Sequence, residues 1–416
     1  RGLAVTLDGG LLAPDATSGV GPAEPSTSGW APRQPAGASG LLKAMALEYP
    51  ELSLRCVDLP ADEVASDPTG AAELLVGEVE EASGPLEVTW ARGVRTTSSV
   101  VAIGLATGLP ARRGTPAAAG TLRLNRDSVV LLTGGARGIT AAVAAGVNAR
   151  FGCQLEIVGR TDPLAEEDPH LAGATDLREM RRHLAEAGDL SPASIDSAAR
   201  SALSRRQARS NLEALTAAGA RVRYHRVDVT DSAALGGLVD DVYARHGRLD
   251  AVLHGAGIID DRLMRDKDPA SFASVYATKV DAARTILGRL LEGPGLVVLF
   301  ASISGVTGNR GQVDYAAANA ALDSLARSSD GTQGWRVVSL DWGPWAGAGM
   351  VDEALQREYA RRGVELIDLD QGVSCVLEVM DGGLNGYAQA LLLAGPPGAV
   401  LSAHPNHLDA DRVPVG

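Results

Sequence analysis

Cysteine is scarce in this chain: Cys56, Cys153 and Cys375 are the only three in 416 residues, far apart and each inside an apolar run. That argues against a disulfide framework or a cysteine metal cluster, and leaves buried free thiols in a reducing cytoplasm as the expectation, with no metal. Aromatic residues make up only 4%. The core therefore has to be built from Ala, Val, Leu and Ile, which suits closely packed α/β layers. Net positive charge is missing: the formal charge is −13, which argues against a protein that tracks nucleic-acid phosphates. No apolar run approaches the roughly 18 residues that a membrane span needs. The opening RGLAVTLDGG has neither an initiating Met nor the apolar centre of a signal peptide, so a segment of a longer polypeptide is expected. Lysine is nearly absent. Lys43, Lys267 and Lys279 are the only three, and arginine supplies the remaining basic residues. A lysine in a chemically sensible place therefore stands out.

What is present is ordinary for a globular protein: 45% hydrophobic and 21% charged residues. Residues 1–115 alternate short strands and helices, without a phosphate loop or a convergent polar set. A strand over 1–8 precedes a Pro/Gly/Ser/Ala-rich loop over 9–37. Helices near 39–48 and 70–82, a strand at 53–58, and two strands in LEVTWARG and TSSVVAIGL follow. RRGTPAAAG at 112–120 reads as a linker. From residue 128 apolar strands alternate with helical patterns near 232–247, 269–292 and 314–328. That alternation predicts right-handed βαβ crossovers and a doubly wound parallel sheet over 116–395. Residues 396–416 are left as a C-terminal tail or linker. Ser191 and Pro192 mark a helix start in the polar stretch after residue 162.

Five constellations carry chemistry. In LLTGGARGIT, Thr133 ends a strand, and Gly134, Gly135, Ala136, Arg137, Gly138 and Ile139 form a turn that runs straight into a helix. Free N–H groups and the helix dipole at such a start can hold a pyrophosphate. The alternative is a plain glycine-rich turn, and Thr140 stands where a third glycine is common. Gly159 and Arg160 end the second strand, where an arginine accommodates an adenosine 2′-phosphate; with Arg137 nearby, NADPH is favoured over NADH. A solvated surface arginine is the plain alternative. Asp228 and Val229 close a strand beside which an adenine would lie, although an Asp there also caps helices. Gly255, Ala256 and Gly257 of LHGAGIIDD let backbone approach a ribose or nicotinamide, with His254 read as structural. Lastly, Ser302 stands thirteen positions before Tyr315, and Asn319 follows one helical turn later. A tyrosine hydroxyl can give its proton to a developing alkoxide while a serine holds the carbonyl oxygen. The asparagine supplies no positive charge, so either the site is dead or a lysine comes from elsewhere.

Taken together, TGGARGI, HGAGIIDD, the Ser302–Tyr315–Asn319 spacing and DWGPW at 341–345 resemble the ketoreductase domains of type I polyketide synthases, relatives of the short-chain dehydrogenases/reductases. In that family the lysine and the asparagine exchange places, and the lysine comes from the preceding helix. Lys279, twenty-three residues ahead of Ser302, matches that pattern. The resemblance implies that Lys279 lowers the tyrosine pKa and binds the nicotinamide ribose, and that Asn319 positions Lys279 or a relay water. Gly343, Pro344 and Trp345 would then shape the nicotinamide pocket, and residues 346–366 would form a lid, with Met350 touching substrate or packing in the core. It further implies that 1–115 is a truncated Rossmann-like structural unit. The substrate implied is a β-ketoacyl chain on an acyl carrier protein, with ketosynthase, acyltransferase and dehydratase domains as the other partners. Arg262, Arg265, Arg310, Arg361 and Arg362 are candidates for a carrier-docking patch, or scattered surface arginines. An LDD motif marks family members giving a D-configured 3-hydroxyl. Here Ile259, Asp260 and Asp261 stand in its place, and Thr307 stands where the opposite type has Trp. The 162–195 stretch looks like an insertion of the iterative enediyne or polyunsaturated-fatty-acid kind. Two other readings stay open: a freestanding reductase of small ketones, and a non-catalytic scaffold that keeps the fold.

Overall fold

The computed structural model describes residues 2–6, 37–81, 84–98, 100, 122–188, 190–347, 353–361, 363–384, 386–395 and 401. A small sheet comes first, built from β1 (Gly2–Thr6), β2 (Leu54–Asp58), β3 (Glu87–Ala91) and β4 (Val94–Thr96) in that order. β1, β2 and β3 run parallel; β4 turns back antiparallel through Arg92 and Gly93, both at positive φ. The TSSVVAIGL strand expected from sequence falls mainly outside the described residues, and the second strand of this region is instead VRT within LEVTWARGVRT.

The larger sheet has seven strands: β5 (Val129–Thr133), β6 (Gln154–Gly159), β7 (Arg221–Arg226), β8 (Ala251–His254), β9 (Gly295–Ser302), β10 (Trp335–Trp342) and β11 (Gln389–Leu392). Its order is β11-β10-β9-β8-β5-β6-β7, and every pairing is parallel. The central strands are buried along their length, which is why β5 and β9 read as unbroken apolar runs. Among the described residues, three helical segments cover each face. Gly138–Phe151, Pro192–Ala217 and Leu369–Met380 close one side. Ser232–His246, Ala282–Leu287 and Val313–Ser329 close the other. This is the doubly wound Rossmann-type arrangement. The strand order reverses between β5 and β8, so a crevice opens at their carboxyl ends.

Two stretches differ from the sequence reading in informative ways. The helix expected as one piece over 269–292 is three: Pro269–Tyr276, a wide π-helical turn Ala277–Asp281, and Ala282–Leu287. Lys279 lies in the wide turn, a distortion that recurs at functional sites. The polar 162–195 stretch forms the helix Leu177–Ala187 and leads into the 26-residue helix Pro192–Ala217, which starts on Ser191 and Pro192 as the sequence indicates. Leu171, Met180, Leu184, Ala199 and Ala202 give it a small core of its own.

The small sheet is tied to the large one through the helix Ala38–Glu48, which lies along Val313–Ser329. The two backbones nearly touch: a Cβ on Gly40 would stand 2.1 Å from the Ala316 carbonyl oxygen. Lys43, buried, ion-pairs with Glu87 at 2.7 Å and donates to the Gly305 carbonyl at 3.3 Å. The Glu48 carboxylate accepts from the amides of Met264 and Gly311 at 2.7 and 3.0 Å. The amino-terminal unit thus braces the segment around Ser302 and Tyr315 from behind. Gly40→Ala should lower unfolding free energy by about 1–3 kcal/mol through overpacking against an immovable carbonyl. Chemical denaturation checks this, and Gly77→Ala, which meets nothing within 4 Å, serves as the control that should not destabilise.

Candidate active site

The crevice at the strand-order reversal is a cleft of about 1660 Å³ that runs from Gly134 and Gly138 past Gly255 to Ser302, Tyr315 and Lys279. At its inner end, Gly134 adopts φ +74°, and a Cβ there would press within 3.1–3.2 Å of Gly255 and Ala256. The helix Gly138–Phe151 begins on Arg137, whose side chain makes no cap. Its first amides are therefore left for a ligand. Thr140, the departure from a third glycine, has a physical complement: its Oγ1 would lie 2.7 Å from a Cβ on Gly255. The bulk added at 140 is matched by bulk missing at 255. These features fit the pyrophosphate and ribose of a nicotinamide dinucleotide.

At the end expected to take the adenosine, Arg160 stands at the tip of β6 and reaches Asp228 at 3.8 Å, with both side chains about half exposed. Gly159, Arg160, Asp228 and Val229 do not line the cleft, and neither do Gly135 and Ala136. Arg137 lies close enough to Arg160 for the two charges to repel; burial first, and then that repulsion, lower its pKa. Arg137 also donates to Ser204 Oγ at 2.5 Å, and Asn211 donates to the Ala136 carbonyl at 2.9 Å. Both partners sit on Pro192–Ala217. The sequence carried no signal for either, because the contacts cross some 70 residues.

At the other end, β9 delivers Ser302 and the helix Val313–Ser329 delivers Tyr315 and Asn319. The wide turn at Ala277–Asp281 brings Lys279, only 4% exposed, to the same place. Its Nζ donates to the Phe300 carbonyl at 2.8 Å and lies 5.2 Å from the centre of the Tyr315 ring. Burial pulls the Lys279 pKa down to about 8, opposed by Asp323 and Asp341. Burial pushes the Tyr315 hydroxyl up to about 12, opposed by hydrogen bonding to Asn319 and Ser302. In the free protein, desolvation of the phenolate outweighs the polar neighbours of the Tyr315 hydroxyl. Asn319 does not hold Lys279 directly. Its Nδ2 donates to the Tyr315 carbonyl at 2.7 Å, and its Oδ1 is buried with no donor.

His254 is structural, and its tautomer follows from its partners. The Lys279 carbonyl can only accept, so Nε2 carries the proton and donates to it at 2.8 Å; Nδ1 then accepts from the Thr133 hydroxyl at 2.7 Å. Burial, with Lys279 nearby, lowers its pKa to about 4 and keeps it neutral. The imidazole therefore links the glycine turn to the lysine.

The two aspartates of IDD part company. Asp261 lines the cleft, and Gln312 Nε2 lies 3.1 Å from both its oxygens. Asp260 turns away to Ser271, Arg262 and the side of Lys267. Gly343, Pro344 and Trp345 line the cleft after β10. Trp345 is also core: its ring packs tilted against Trp342, centroids 4.6 Å apart, and fills the space above Gly372. Of the expected lid, the helix Glu353–Arg361 is described and Tyr359 reaches the cleft, whereas Met350 and Arg362 lie outside the described residues. Among the described residues no cluster suits a metal and no helix is long and apolar enough to cross a membrane.

Comparison with known proteins places this arrangement. The KR domain family matches residues 128–347. A polyunsaturated fatty acid synthase polypeptide from Thraustochytrium sp. is 29% identical over 82% of this chain, and polyketide synthase GfsB from Streptomyces halstedii is 32% identical over 76%. The chain spans only 12% and 5% of those two relatives. The ketoreductase from the first module of phoslactomycin biosynthesis in Streptomyces sp. HK803 superposes with a TM-score of 0.63 at 26% identity, covering 88% of this chain and 72% of that one. With a Rossmann-type sheet, a glycine turn at its switch point and a match over more than half its length, the chain belongs to the KR domains, the ketoreductases of polyketide synthases.

Proposed function

We propose that this ketoreductase domain reduces a β-ketoacyl thioester on an acyl carrier protein to the D-3-hydroxyacyl thioester, using NADPH. The observation that carries the reading is the convergence of Tyr315, Ser302, Lys279 and Asn319 from three separate elements onto one cleft. A scaffold without activity has no use for a desolvated lysine against a tyrosine ring. The similarity to synthases many times longer than this chain supports a carrier-bound substrate over a free ketone.

In the proposed reaction the nicotinamide supplies the hydride. Gly134, Gly135, Ala136, Gly138 and Ile139 would hold its pyrophosphate, Gly255, Ala256 and Gly257 the ribose side, and Arg160 and Arg137 a 2′-phosphate. The Ser302 and Tyr315 hydroxyls hydrogen-bond the β-carbonyl oxygen. As negative charge builds there, Tyr315 gives up its proton. Its high pKa keeps the hydroxyl protonated until an alkoxide forms. Lys279, over the ring face, and the Ser302 and Asn319 side chains then stabilise the phenolate. Asp261, held by Gln312, presents a carboxylate on the substrate side and biases which face of the ketone is exposed. The docking patch reduces to fewer arginines than the sequence offers, since Arg262 and Arg265 are paired with Asp260 and Asp266.

Four outcomes test this. With a synthetic β-ketoacyl thioester, Tyr315→Phe should lower the rate of NADPH oxidation by about 100-fold or more, while leaving nucleotide binding intact. Equal turnover in both proteins would remove Tyr315 from the reaction. Arg160→Asp should cost at least about tenfold in kcat/KM for NADPH relative to NADH; an unchanged ratio would detach Arg160 from cofactor choice. Chiral analysis should find the D alcohol, eroded by Asp261→Ala; an L product would overturn the stereochemical assignment. The wild-type rate should fall as pH rises through about 8, where Lys279 loses its proton.

A further inference from the structure

Behind the cleft, two carboxyl groups are buried together. Asp323 projects from Val313–Ser329 and Asp341 from β10; they are 3% and 0% exposed and within hydrogen-bonding reach of each other. Each has one neutral donor of its own. Ser339 donates to Asp323 Oδ1 at 2.6 Å, and Gln389 donates to Asp341 Oδ2 at 2.7 Å. The remaining Asp341 oxygen, Oδ1, is buried with no donor. Two contacting carboxylates in a dry core cannot both stay ionised. A single shared proton satisfies the orphaned oxygen and leaves the pair with one negative charge.

The charges facing this pair come from several elements. Arg327, on the same helix, donates to Gln389 on β11; Lys43, from Ala38–Glu48, is neutralised by Glu87. Lys279 faces it from the wide turn. Around Lys279 the other groups are His254, held neutral, and Tyr315. Among the described residues Lys279 has no carboxylate within 4.0 Å. A buried ammonium without a contact counter-ion needs one at longer range.

We propose that Asp323 and Asp341 share one proton and that their single negative charge keeps Lys279 protonated, making both aspartates positioning residues for the reductase site. Neither aspartate lines the cleft, so both act only through the lysine. Burial raises the pKa of both, Asp341 further because Asp323 is its neighbour. The proposal rests on the reading of Lys279 as the lysine of the reductase site.

Single substitutions are the distinctive test, because an asparagine mimics a protonated carboxyl. Asp323→Asn can still accept from Ser339 and donate to Asp341; Asp341→Asn can accept from Gln389 and donate to Asp323. Each leaves one carboxylate and the same net charge. Both singles should therefore keep the alkaline limb of the pH–rate profile in place. The Asp323→Asn/Asp341→Asn double variant should move it down by about one pH unit, with kcat at pH 6 near wild type. An unmoved limb in the folded double variant, or a single that moves it as far as the double, would overturn the proposal. Infrared difference spectra supply a readout that needs no catalysis and no double variant. Wild type should show a protonated carboxyl band at neutral pH that either single substitution removes. If both singles retain that band, the shared proton is refuted, whatever the enzyme's substrate.

Discussion

A lysine ammonium held in the interior beside a tyrosine ring is the constraint around which this domain is arranged. Burying a cation is expensive unless polar groups are placed to receive it. Lys279 gets the Phe300 carbonyl at the end of β9, the face of Tyr315, and a negative field from carboxyls deeper in the core. Each of these sits on a different element, so all the elements must be correctly placed together. The wide turn at Ala277–Asp281 sets the depth of the lysine, and His254 ties its carbonyl to Thr133 at the mouth of the glycine turn. The two ends of the cleft are thereby joined through one neutral imidazole.

The amino-terminal unit belongs to the same argument. It carries none of the cleft-lining residues among those described, yet Gly40, Lys43 and Glu48 press on the backbone that carries Ser302 and Tyr315. A helix on which every residue from Ala316 to Ala326 is buried needs cover on both sides. The large sheet covers one side and Ala38–Glu48 the other. Among the described residues, what the small unit contributes to the site is this contact.

Much of this was legible in the sequence, for stateable reasons. Strands buried on both faces read as continuous apolar runs, and functional groups fall at their carboxyl ends, so Thr133, Ser302 and the glycines of both turns could be placed from pattern alone. Lys279 stood out because lysine is so rare here. What stayed hidden depends on long-range geometry. Periodicity cannot distinguish a wide turn from an ordinary one, so the helix over 269–292 was expected whole. Two adjacent aspartates look alike in a string, yet Gln312 holds Asp261 in the cleft while Ser271 draws Asp260 away. The links from Arg137 to Ser204 and between Asp323 and Asp341 join segments whose spacing encodes nothing about contact. The sign of the Tyr315 shift also had to await the structure, because it is set by the extent of burial.

The central claim is that Lys279 supplies the positive charge that Asn319, one turn after Tyr315, cannot. The most direct measurement is turnover of a β-ketoacyl thioester by Lys279→Met, alongside nucleotide binding followed through Trp342 and Trp345 fluorescence. The account predicts a folded protein that still binds nucleotide but loses about 100-fold or more in kcat, with the alkaline limb near pH 8 gone from whatever activity remains. Turnover close to wild type, with that limb still present, would contradict it.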